Sequence, residues 1–168
     1  MGPTGRAGLV TVGAALLAVT SGCSYGGEPC AGVGTVAGVG VMFDSQGYGD
    51  LTGASYELCA RGKCAKGTLR HERISNLRLP LPHDVDPDRG PVRFEVTPQG
   101  GGRPVIDASA DAELTFQSDG CGGGDYSTGL AFTKAAGLTT KIPKSLSDAW
   151  MKQLRSLATA SPDPSAPS

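Results

Sequence analysis

From Val39 onward, apolar and polar positions alternate with period two in one short run after another, which is the mark of strands that bury a single face. Val39, Val41 and Phe43 share one side of the first run. Ala54, Tyr56 and Leu58 share a side of the second, with Ser55, Glu57 and Cys59 opposite. Cys64–Leu69 returns as a hairpin partner, and Ile74–Leu81 carries Leu77, Leu79 and Leu81 until Pro80 and Pro82 limit it to an edge or a strand end. Val92, Phe94 and Val96 alternate against Arg93, Glu95 and Thr97. Ala108, Ala110, Ala112, Leu114 and Phe116 do the same over 108–117, which predicts one long strand. Leu130 and Phe132, then Leu138, Thr140 and Ile142, predict a last hairpin across Ala135-Ala136-Gly137. Beyond Pro143 the period becomes helical: Leu146, Ala149, Trp150, Leu154 and Leu157 form a stripe, and Ser145 with Asp148 suggests a capping box.

These runs amount to about eight short strands with no helix between them, an all-β pattern of the antiparallel sandwich kind closed by a short C-terminal helix. In strand number and turn spacing the chain resembles the immunoglobulin-like β-sandwich of exported bacterial proteins. The likeness is one of pattern, because the only Trp, Trp150, lies beyond the last strand. The expected sandwich domain is 35–143, the amphipathic helix 144–160, and the Pro- and Ser-rich 161–168 a disordered tail. The helix stripe either packs on the sandwich or is offered to a partner.

Ahead of these lies an apolar run from Leu9 ending in Thr20-Ser21-Gly22-Cys23, preceded by a segment whose only charge is Arg6. A spanning helix needs about 20 apolar residues, more than Leu9–Thr20 supplies. The order resembles a bacterial lipoprotein signal peptide with its lipobox. That resemblance implies a signal peptide over 1–22, acylation of Cys23 by groups such as palmitate, and a tether over 23–34. It places the protein at the outer face of the cytoplasmic membrane, where two or more acyl chains hold it, each buried methylene contributing about 0.8 kcal/mol. Gly32–Gly38 superficially resembles a dinucleotide-binding loop, but its spacing is wrong and no strand precedes it.

Composition narrows the rest. Fifteen basic residues face sixteen acidic ones, which excludes strong steering toward nucleic acid. Large apolar residues are sparse while Gly numbers 26 and Pro 12, so a thin core needs covalent staples. Four cysteines follow Cys23, and in an exported chain they allow three pairings into two disulfides. Ala60-Arg61-Gly62-Lys63 is a four-residue hairpin loop, which favours Cys59–Cys64 and leaves Cys30–Cys121 by elimination.

Chemistry is thin. There is no Gly-x-Ser-x-Gly elbow, Ser-x-x-Lys or His-Glu-x-x-His pattern, and His71 and His83 stand in polar surroundings as solvated side chains, so the chain does not read as an enzyme and implies no cofactor. Asp84-Val85-Asp86-Pro87-Asp88-Arg89-Gly90 reads first as a surface turn, with a calcium site through Asp84, Asp86 and Asp88 as the alternative. Arg61, Lys63, Lys66, Arg70, Arg73 and Arg78 form a basic stretch that either discourages edge pairing or meets an anionic cell-wall polymer. The expected role is a tethered binding module for a protein or cell-wall partner, with a solute- or metal-binding lipoprotein as the alternative.

Overall fold

A computed structural model describes residues 34–160. The expected signal peptide over 1–22, Cys23, Cys30 and the expected tail over 161–168 lie outside them. Nine strands and one helix follow in order among the described residues: β1 Gly38–Asp44, β2 Ser55–Ala60, β3 Lys63–Thr68, β4 Ile74–Pro80, β5 Gly90–Thr97, β6 Ile106–Ala112, β7 Thr115–Ser118, β8 Gly124–Thr133, β9 Gly137–Thr139 and α1 Lys144–Ala160. One sheet runs β4-β1-β8-β7, with β9 also paired to β8; the other runs β3-β2-β5-β6. The protein is therefore mostly β, with two sheets and a C-terminal helix.

Alternation places the core. Val39, Val41, Phe43, Leu77, Leu79, Leu130 and Phe132 of the five-stranded sheet meet Leu58, Val92, Phe94, Val96 and Ile106 of the four-stranded one in a single buried cluster. The rings of Phe43, Phe94 and Phe132 join across the gap at centroid distances of 5.4–5.8 Å. All strand pairs are antiparallel except β1 with β8, which run parallel.

The expected long strand over 108–117 is two strands in two sheets. β6 ends at Ala112, the chain crosses through Leu114, whose N–H donates to the Pro87 carbonyl at 2.9 Å, and β7 begins at Thr115. Ala112 and Leu114 are both buried, so the period continues through the crossing and conceals it. β8 starts at Gly124, six residues ahead of Leu130, where the expected last hairpin opens, while β9 stops at Thr139 and leaves Ile142 40% exposed.

The helix packs on the outer face of the five-stranded sheet. Leu146 is buried with Ile74 and Ala131, and Met42, Ala149 and Trp150 pack against them. The Gln153 amide acts as a strand neighbour to the free edge of β4, donating to the Ile74 carbonyl at 2.8 Å and accepting its N–H at 3.1 Å. The expected capping box is replaced: the Pro143 carbonyl accepts the N–H groups of Leu146 and Ser147, and Asp148 pairs with Lys144 at 2.8 Å. Further along α1 the stripe is left in solvent, with Leu154 39% and Leu157 49% exposed.

Candidate functional site

The two outer faces differ in chemistry. On the four-stranded sheet, Arg93 donates to both Asp107 oxygens at 3.0 Å and pairs with Glu95 at 2.9 Å, while Lys66 pairs with Glu57 at 3.2 Å. The Arg93 hydrogen bonds hold the Asp107 carboxyl below its ordinary range, and Asp107 raises Arg93. Such exposed pairs contribute little each and mark a hydrated face. Cys59 and Cys64 are joined there, directly opposite in register with Cα atoms 4.1 Å apart. Glu57 and these sulfurs lie within 4.8 Å of one another, a spacing a metal could use, but sulfurs bonded to each other offer no thiolate.

The outer face of the five-stranded sheet is bare where the other is charged. Register sets Arg78, Gly40 and Gly129 side by side on β4, β1 and β8, and Asn76, Met42 and Ala131 in the next outward row. The result is a trough of about 410 Å³ floored by glycine and walled by Val36, Met42 and Ile142, with Arg78 and Asn76 on its rim. Val36 is 61% exposed, and Met42 also packs on the cluster of Ile74, Ala131 and Leu146 beneath α1.

Gly38 is required by the backbone, because at φ 155° a Cβ would sit 2.4 Å from the Leu79 carbonyl oxygen. Gly40 is not so constrained: the nearest atoms to an added Cβ are 3.9 Å away, an ordinary contact. At Gly129 the nearest is Ile142 Cδ1 at 3.6 Å. Two paired strand-interior glycines thus stand where side chains would fit.

A second, polar groove of about 350 Å³ opens between the loops around Asp50 and His71. Thr52 Oγ1 lies 3.1 Å from His71 Nδ1, and the Thr52 N–H donates to Asp50 at 2.8 Å. The Thr52 hydroxyl, then its amide, holds the Asp50 carboxyl below 3.8. Arg73, also on this groove, donates to both oxygens of the buried Asp44 at 3.1 and 3.2 Å. Mutation of Thr52 to Val should return Asp50 toward 3.8 in an NMR titration. A lowered folded pKa stabilises above the unfolded value, so the wild-type advantage should be full above pH 3.8 and fade as pH falls through the folded value. An Asp50 titration unmoved by the substitution would refute this assignment.

His83, by contrast, is held by Asp125: its Nδ1 contacts the buried carboxylate, which also accepts the Thr35 hydroxyl at 3.0 Å. Asp84, Asp86 and Asp88 do not gather as a ligand group among the described residues. Asp86 accepts the Asp88 N–H at 2.9 Å, and the Arg61 guanidinium donates to the carbonyls of Asp86, Asp88 and Ala112, putting a fixed cation where calcium would need oxygens. Nor do the basic residues make one patch, since Arg61 braces this loop, Lys66 and Arg73 are paired, and Arg78 lies on the opposite sheet. Cys121 is disulfide-bonded, and Cys30, proposed as its partner, lies outside the described residues.

The trough was not anticipated from sequence. Its signal was a glycine inside each of two strand-like runs, which marks a bulge or a close approach. Comparison with known proteins finds no family model, curated sequence or solved structure that this chain matches.

Proposed function

We propose that this chain is a lipoprotein, anchored through acylated Cys23 at the outer face of the cytoplasmic membrane. Its sandwich, of immunoglobulin-like kind, serves as a binding module, and the glycine-floored trough is where it binds. One observation carries the choice of site: the Gly40–Gly129 pair. A glycine in a strand interior costs about 0.5–1 kcal/mol relative to alanine, and here neither a left-handed φ nor a steric clash requires it. A bare floor admits a ligand into contact with the backbone, which offsets that cost only when something binds.

A photo-crosslinking residue at position 36, used on intact cells, tests the site. Gly40→Val should remove the adducts formed by the wild type while leaving the thermal midpoint equal or higher. Identical adducts in both proteins would show that the trough is not the site. Anchoring is tested separately: labelled palmitate should enter the wild type and not Cys23→Ser.

A further inference from the structure

We infer that the trough holds a single-chain amphiphile, its unbranched acyl chain lying across Gly40 and Gly129 toward Ile142 and its anionic head at Arg78. The inference rests on the trough being the binding surface and adds the ligand class. Over Gly38–Phe43, β1 is laddered to β4 on one side and to β8 on the other, so the central strand of the floor offers no free N–H or C=O to an extended peptide laid across it. No aromatic ring lines the trough, so it gives a sugar no stacking platform. What it offers is Cα methylenes and the apolar walls of Val36, Met42 and Ile142, the surface a hydrocarbon chain buries against.

The charge is placed to match. Arg78 stands in the same cross-strand row as Gly40 and Gly129, and among the described residues its side chain makes no ion pair or hydrogen bond. The path from the β4 backbone across β1 to β8 is about 10 Å, two strand spacings, with Ile142 beyond it. A head at Arg78 therefore directs the chain along the row. The occupant is a monomer taken from solution or from a carrier, not the membrane surface itself, because the glycine floor lies below its walls.

The test uses residues 24–168, which keep every buried residue of both clusters, from Ala37 to Leu146. Cis-parinaric acid below its micelle concentration should bind saturably at one site, and straight-chain carboxylates should displace it. Each added methylene should tighten binding roughly two- to fourfold, levelling off once the chain passes Ile142. Arg78→Gln should weaken carboxylates roughly fivefold and leave the alcohols of equal length unchanged. Gly40→Val should abolish both, with Gly40→Ala as the milder variant should valine disturb the strand. Binding indifferent to chain length, binding retained in Gly40→Val, or binding to anionic vesicles alone would overturn the inference. Loss of cellular adducts in Gly40→Val without any carboxylate binding to the wild type would remove the ligand class and leave the trough standing.

Discussion

Phe94→Ala is expected to take the protein to the edge of unfolding at 37 °C, with a loss of about 3–5 kcal/mol in urea-unfolding free energy. Phe94 is fully buried on β5 and is the ring through which the four-stranded sheet meets Phe43 and Phe132 of the other, at 5.4 and 5.5 Å. Truncation leaves a cavity between two sheets whose positions are fixed by ladders, so little of it can collapse. A domain of this size has about 5–15 kcal/mol in all, so the loss removes a large share. Phe116→Ala is the control. It removes a ring of the same kind, but one that is 52% exposed and in contact with Tyr126 alone among the described rings, and it should cost no more than about 1 kcal/mol. Far-UV circular dichroism against urea measures both. A Phe94→Ala loss as small as that of Phe116→Ala would mean the two sheets do not depend on this contact.

The pattern of the chain gave access to what period two encodes, namely which side chains share a face. Val39, Val41 and Phe43 point inward for that reason, as do Val92, Phe94 and Val96. Alternation does not encode which strands are neighbours. The parallel pairing of β1 with β8 is therefore invisible in it, and so is the change of sheet at Glu113-Leu114, where burial keeps its rhythm while the partner strand changes. The trough was hidden for the same reason, since Gly40 and Gly129 are far apart in the chain and only register brings them together. Helical spacing likewise tells which side of α1 is apolar and not how far the sheet beneath it extends. Leu146 and Trp150 find the sheet, whereas Leu154 and Leu157 do not. Long side chains that bond to backbone leave the faintest trace of all, and Arg61 is the clearest instance: in the sequence it is one basic residue of a hairpin loop.

Arg61→Gly puts two effects of opposite sign in competition, and the brace should win by about 2–3 kcal/mol. Arg61 sits at φ 52°, where a side chain costs about 1–2 kcal/mol and glycine nothing. That relief is partly cancelled because glycine also gives the unfolded chain more freedom, about 0.5–1 kcal/mol. Against it stand the bonds from one guanidinium to the carbonyls of Asp86, Asp88 and Ala112, the last belonging to a residue 1% exposed. Hydrogen bonds from a charged donor contribute about 1.5–3 kcal/mol each when buried and less at a partly exposed site, and a buried carbonyl left unmet adds its own desolvation cost. For a domain of this length the net loss corresponds to a fall of roughly 8–12 °C in Tm. The same brace can be tested from its other side. A Cβ at Gly90 would come within 2.5 Å of the guanidinium, which three carbonyls hold in place, so Gly90→Ala should destabilise in wild type and do so much less once Arg61 is glycine. Additive losses in the double variant, or an Arg61→Gly midpoint at or above wild type, would mean that relief of the turn outweighs the three bonds and that the 84–90 loop is held by something other than Arg61.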